Sequence, residues 1–199
     1  MRVLIIKTSS LGDVIHTFPA LTDAARAIPG IQFDWVVEEP FQDLPAFHPS
    51  VDAVIPSAVR RWRKSWLGTW LSGEWRAFVR RLRTHQYDAV IDAQGLIKSA
   101  LITRKARGMK FGLDGQSARE PLASRFYDQR IRIEKQQHAI QRTRQLFARS
   151  LGYQLDDLPL EYGLEVIPDR DIAAATLVFL QGTTWSSKSW PTDFWSALM

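Results

Sequence analysis

Four residues near the amino terminus narrow the possible folds more than any others. The unbroken apolar run Val3-Leu4-Ile5-Ile6 ends in the polar segment Lys7-Thr8-Ser9-Ser10-Leu11-Gly12-Asp13. A run that is apolar at every position, rather than at alternate ones, is a strand covered on both faces, and such strands belong to parallel sheets sandwiched between helices. The segment after it reads as a turn opening a helix that runs towards Pro29-Gly30. Pro19 has no amide hydrogen and crowds the preceding turn, so it must bend that helix or sit near its true start.

The pattern then repeats. Residues 33–37 and 51–55 read as strands, the first followed by a loop and a short helix through 41–47. Residues 87–92 read as a fourth strand leading through Ala93-Gln94-Gly95 into a helix from Leu96, and residues 110–113 as a fifth. Residues 137–151, with Ile140, Leu146 and Phe147 among Arg142, Arg144 and Arg149, read as a one-sided surface helix stopped by Gly152. Strands alternating with helices imply an α/β fold with a doubly wound, Rossmann-like parallel sheet, in which ligands sit beyond the strand carboxyl ends.

Past residue 156 the character changes. Residues 156–169 hold two prolines and a run of acids and read as a linker. Residues 176–181 read as a new buried strand, 182–184 as a turn, and Thr192 as a helix cap. A lone strand and a short helix cannot bury their apolar faces without a sheet to join. The expected organisation is therefore a first domain over 1–160, and over 161–199 a linker with the truncated start of a second Rossmann-like domain.

The longest apolar stretches fall far short of the ~20 residues that span a bilayer, and the amino terminus is too short for a secretory signal. With no cysteine, the chain has no disulfide scaffold, thiolate metal site or cysteine nucleophile. The net charge of +5 conceals an uneven distribution: residues 1–59, 60–110, 111–150 and 151–199 carry −4, +10, +4 and −5. A basic block of that size draws in anions, so the partner should be rich in phosphate or carboxylate.

Chemistry is suggested at several places. In the first turn, Gly12 lets the backbone approach a ligand, Ser9 and Ser10 offer hydroxyls, and Asp13 stands at the helix start, where a carboxylate could take a proton from an attacking hydroxyl. From spacing alone Asp13 reads better as an ordinary helix cap, and the helix terminus that stabilises its charge weakens it as a base. Arg60, Arg61, Arg63 and Lys64 are interleaved with Trp62, Trp66 and Trp70, which recur every four residues, a pattern that suits an amphiphile with anionic groups. Core tryptophans with a solvated charged edge would look the same, and Gly68 and Gly73 argue against one long helix. Lys98, Arg119, His138 and Arg142 could gather at strand ends, although each alone is an ordinary surface charge. Thr183, Thr184 and Lys188 after the late strand would suit a diphosphate.

Other patterns are missing or weak. Neither a dinucleotide nor a P-loop glycine motif follows the first strand, the four histidines lack metal-ligand spacing, and Asp169-Arg170-Asp171 reads better as capping than as a metal site. No RNP, KH or helix-turn-helix pattern is present to favour nucleic acid.

Taken in order, the segments 7–13, 33–39, 60–64, 87–95, 118–124, 136–139 and 151–153, then Thr183-Thr184, Lys188 and Trp190-Pro191, closely resemble the lipopolysaccharide heptosyltransferase I family along essentially the whole chain. The resemblance implies a two-domain GT-B fold, with acceptor bound by the first domain and ADP-heptose mainly by the second. It implies inverting transfer of heptose to Kdo2-lipid A at the cytoplasmic face of the inner membrane. By that resemblance Asp13 is the base; Lys7, Arg60, Arg61, Arg63, Lys64, Lys98, Arg119, His138 and Arg142 meet the acidic acceptor; and Ser10, Gly12, Thr183, Thr184 and Lys188 serve the donor. No obligatory cofactor, no metal, no nucleic acid, peripheral contact with an anionic membrane and a monomeric state are expected. The family's donor-binding acid and its Asp-Thr-Gly-x-x-His turn have no counterpart here, so the 199-residue chain alone is expected to bind acceptor but transfer little sugar. The alternative is a non-catalytic basic module that adheres to anionic lipid or nucleic acid.

Overall fold

Val3, Leu4, Ile5 and Ile6 are completely buried in β1 (Arg2–Ile6), because each strand face meets a different layer of helices. The computed structural model describes residues 1–65, 68–69, 72–155, 159–164 and 189–198. Val3 and Ile5 point into a core with Phe18, Leu21, Leu146 and Phe147, whereas Leu4 and Ile6 point into a second core with Trp62, Phe78, Leu82 and Ile102. Period-two alternation in a strand buried on both sides thus builds two cores at once.

The other strands are β2 (Gln32–Glu38), β3 (Val51–Ser57), β4 (Ala89–Asp92), β5 (Met109–Leu113) and β6 (Gln129–Ile131). They form one sheet in the order β3-β2-β1-β4-β5-β6, and every pairing is parallel. The order reverses between β1 and β4, so the helices after these two strands leave on opposite faces and a crevice opens at their carboxyl ends. The doubly wound, Rossmann-like fold is therefore present.

Helices α1 (Leu11–Ile15), α2 (Phe18–Ala27), α3 (Val59–Lys64), α4 (Glu74–Leu82), α5 (Ile97–Thr103) and α6 (Ala139–Leu151) cover the sheet. The single first helix expected from sequence is in fact two. Pro19 lies in the first turn of α2, where its missing donor costs nothing. In place of a short helix through 41–47 there are two 3-10 turns, Glu39–Phe41 and Pro45–Phe47. Gly73, left-handed at φ 74°, stands before α4 as the helix-breaking reading expects, whereas Gly68 itself lies in a helical turn after the end of α3 at Lys64.

The expectation that α6 is a surface helix with a charged outer side needs correction at Arg144. Its side chain is buried and makes a bidentate pair with the equally buried Asp23 of α2, at 2.6 and 3.1 Å. A buried guanidinium is tolerable only with such a partner. The helix ends as expected, with Gly152 in the left-handed conformation at φ 79°.

Part of the linker reading also changes. Among residues 159–164, Glu161 pairs with Arg26 and Tyr162 packs on the first core. Next to it His48 is buried, holds Thr22 Oγ1 at 3.1 Å and is pushed down to about 4 by burial, so its ring is neutral at pH 7.

The chain divides into two units, Met1–Val166 and Ile167–Met199. In the second, α7 (Thr192–Leu198) is described, with Trp190 edge-on to Trp195 at 4.7 Å. Trp66, Trp70, the strand expected at 176–181, Asp169 to Asp171, and Thr183, Thr184 and Lys188 lie outside the described residues. Among the described residues no helix is long and apolar enough to cross a membrane.

Candidate active site

The crevice between β1 and β4 is assembled by the two turns that follow these strands. Asp92, the last residue of β4, is completely buried. Its Oδ1 accepts from Gln94 N at 2.9 Å and Gly95 N at 3.1 Å, and its Oδ2 accepts from Tyr127 Oη at 2.8 Å. Burial pushes the Asp92 carboxyl upward, against the opposing effect of those donors. Gly112 makes room for the arrangement, since a Cβ there would come within 2.3 Å of the Tyr127 ring.

The turn thus fixed presents Gln94, whose Oε1 accepts from Thr8 N at 3.1 Å and Ser9 N at 3.3 Å. The loop after β1 is therefore held by the loop after β4. Lys7 is nearly buried; its Nζ donates to the Ala93 carbonyl at 3.0 Å and stands 3.6 Å from Asp13 Oδ1. Burial lowers the Lys7 pKa, while Asp13 and Asp92 pull it back up.

Asp13 caps the turn and also reaches the crevice. As the third residue of α1 it accepts from Ser10 N at 2.9 Å and from Ser10 Oγ at 3.0 Å, so it does cap the turn. Its side chain is nevertheless 38% exposed and lines two depressions, of about 200 and 360 Å³. Burial raises its pKa, but Lys7 and the two Ser10 donors outweigh this and hold the carboxyl below its ordinary value. An ionised, solvent-reaching carboxylate at this point can accept a proton from a bound hydroxyl.

Five of the cations expected from sequence surround it. Arg119 lines both depressions, Lys7 and Arg142 line one, and Arg63 and Lys98 line the other. Arg142 is oriented by donation to the Ser117 carbonyl at 2.6 Å, and its buried Nε has no protein partner. His138 caps α6, accepting from Ile140 N at Nδ1, with its ring 5.6 Å from that of His16. An added Cβ at Gly12 would meet open space, while the Ser10 hydroxyl is engaged by Asp13.

The basic helix α3 is less uniform than its composition suggests. Arg61 is turned towards Glu39 and Glu74, at 3.0 and 2.5 Å. Arg60, Arg61 and Lys64 are exposed and line neither depression. Trp62 is buried against Trp75 and Phe78, so for this tryptophan the core reading holds.

Gln94, Asp92 and Glu38 were not legible as site-building residues. Glu38, at the end of β2, is buried near the start of α3, and burial raises its pKa against the opposing influence of the Val59 and Arg60 backbone and of Lys98. A strand-end acid followed by Ala-Gln-Gly was the available signal for the first two. Among the described residues no group of three or more His, Cys, Asp or Glu could hold a metal ion.

The family model described as glycosyltransferase family 9 (heptosyltransferase) matches residues 75–199. The chain is similar to lipopolysaccharide heptosyltransferase 1 of Pseudomonas aeruginosa, at 60% identity over all of this chain and 57% of that protein. It is also similar to the enzyme of the same name from Escherichia coli, at 54% identity over all of this chain and 64% of that one. The chain thus spans somewhat under two thirds of these relatives' length.

Among solved structures, E. coli heptosyltransferase WaaC with ADP-2-deoxy-2-fluoro heptose matches with a TM-score of 0.94 at 54% identity, over all of this chain and 64% of that one. E. coli ADP-heptose lps heptosyltransferase II matches at 0.59 and 23% identity, over 83% of this chain and 47% of that one, a likeness of fold alone. With its matched model covering well over half the sequence, the chain belongs to glycosyltransferase family 9, the heptosyltransferases.

Proposed function

We propose that this domain binds the acceptor of an inverting transferase that moves heptose from ADP-heptose to Kdo2-lipid A, with Asp13 as the base. The observation that carries the reading is the ionised Asp13 carboxylate, open to the switch-point crevice and ringed by Lys7, Arg63, Lys98, Arg119 and Arg142. A cationic ring around one carboxylate suits an acceptor whose sugar and lipid parts carry carboxylates and phosphates. In the reaction, an acceptor hydroxyl oxygen forms a bond to the anomeric carbon while the bond to ADP breaks. The electron pair leaves on the diphosphate, and the hydroxyl proton passes to Asp13. A carboxylate of low pKa suffices, because the proton becomes acidic only as the new bond forms.

Lys7, Arg63, Lys98, Arg119 and Arg142 orient the acceptor, with Arg60, Lys64 and His138 at the margin and Arg61 ordering α3. Ser10 shapes Asp13, and Gly12 leaves space on the donor side. The unit Met1–Val166 is the acceptor domain, and Ile167–Met199 begins the donor-binding part, with Thr183, Thr184 and Lys188 at the diphosphate. The reading implies a monomer working at the cytoplasmic face of the inner membrane through peripheral contact, without an obligatory cofactor or nucleic acid.

Asp13→Asn tests it. Assayed with ADP-heptose and Kdo2-lipid A in the protein carrying this domain, transfer should fall by about 10³, within the range for loss of a general base, with acceptor affinity kept. Near-native transfer in the folded variant would refute the assignment.

A further inference from the structure

The depression beside Asp13 shares Arg63, Lys98 and Glu120 with a larger groove of about 650 Å³. Among the described residues its walls are Val59, Trp62, Trp75, Ile97, Leu101 and Ile102, on helices α3, α4 and α5, with Thr69 also lining it. Trp62 and Trp75 meet edge to face at 5.6 Å, and opposite them Ile97 and Leu101 are 36% and 44% exposed. The volume lies in the range of small-molecule sites, and a predominantly apolar wall is what such sites use to hold hydrocarbon. Glu120 accepts from Ile97 N at 2.6 Å, so its carboxylate is committed to the start of α5.

We propose that this groove receives an acyl chain of the acceptor lipid, while Arg63 and Lys98 at its mouth meet the anionic groups between that chain and the sugar offered to Asp13. The inference rests on the acceptor reading above and extends it from headgroup to hydrocarbon. Its support is the order of surfaces along one continuous depression: apolar walls, then two cations, then the carboxylate. An amphiphile whose acidic headgroup enters the crevice has the matching order of acyl chain, phosphate and sugar. A covering peptide segment or a second copy of the chain would have no use for a cationic rim between an apolar face and a proton acceptor.

Each methylene taken from water tightens binding about fourfold, so a few seated carbons give a measurable preference. The test titrates this chain with Kdo2-lipid A and with its fully deacylated form, both in the same non-ionic detergent. The native chain should prefer the acylated acceptor by about tenfold or more. Leu101→Arg should reduce that preference to near unity while affinity for the deacylated acceptor persists, and Ile97→Gln serves as a second variant if the first fails to fold. Leu122→Arg, at a residue 52% exposed and outside the groove, should retain the full preference. Equal affinity of the native chain for both acceptors overturns the proposal, as does equal loss in Leu101→Arg and Leu122→Arg. Dimerisation abolished by Leu101→Arg would assign the face to a second copy and overturn it too. If neither acceptor binds the native chain, the acceptor reading itself fails, a result distinct from loss of the acyl preference alone.

Discussion

Asp13 both caps the turn before α1 and reaches the crevice, two placements that the sequence presents as rivals. The same oxygen that accepts two Ser10 donors belongs to a carboxylate whose other oxygen faces Lys7 at 3.6 Å. Capping therefore orients the group, and the ammonium keeps it charged. Because Lys7 is a main downward influence on Asp13, Lys7→Met, which keeps the side-chain length but removes the charge, should raise the carboxyl pKa. A base must be ionised to act, so under the role proposed for Asp13 the acid limb of the kcat/KM profile should move to higher pH in this variant. A pH profile that stays put, with the fold checked by thermal melting, would mean that Lys7 does not tune Asp13. The cations beyond Lys7 divide in a way their spacing hides. Arg61 and Arg63 are two residues apart, yet one is held by Glu39 and Glu74 and the other lines the crevice. The acids that capture Arg61 come from elsewhere in the chain, so local pattern carried no sign of the difference.

Helices acquire their positions from partners distant in sequence. Helix α3 starts after Ala58 without a side-chain cap and is anchored to the sheet by Trp62, which packs in one core with Leu4 and Ile6 of β1. On the opposite face α6 is tied to α2 by Arg144 and Asp23. Arg144→Met should cost about 3–5 kcal/mol, because it strands a buried carboxylate. Adding Asp23→Leu should recover most of that loss, since an apolar pair of similar volume is often as stable as a buried ion pair. Urea denaturation of the single and double variants measures both, and a double variant no better than the single would refute the buried-charge account. Two elements went unread for different reasons. β6 is three residues at the sheet edge, mostly exposed, and has no hydrophobic period to detect. α4 carries a helical signal in Trp75, Phe78, Val79 and Leu82, obscured by the density of arginine around it.

At the scale of the molecule, the parallel order β3-β2-β1-β4-β5-β6 brings residues 7–13 and 92–95 to one crevice and adds Arg119 and Arg142 from later in the chain. The +10 charge of residues 60–110 is thereby brought, through Arg63 and Lys98, to one side of the site. Binding of an anionic acceptor should accordingly weaken as salt rises from roughly 0.05 to 0.5 M, because the Debye length shrinks to a few ångströms. Titration of the acceptor at several ionic strengths measures this, and a salt-independent affinity would remove electrostatics from recognition. The sequence alone determined the sheet class, the strand-turn-helix that carries Asp13, the helix end at Gly152 and the basic character of residues 60–110. Those features follow from apolar periodicity, backbone preference and summed charge, which are local or additive. Only the tertiary structure decided which cations line the crevice with Asp13, that Arg144 is buried, that Gln94 holds the loop after β1, and that an apolar groove adjoins the crevice. Each of these depends on residues far apart in sequence meeting within a few ångströms, and linear spacing does not encode such meetings.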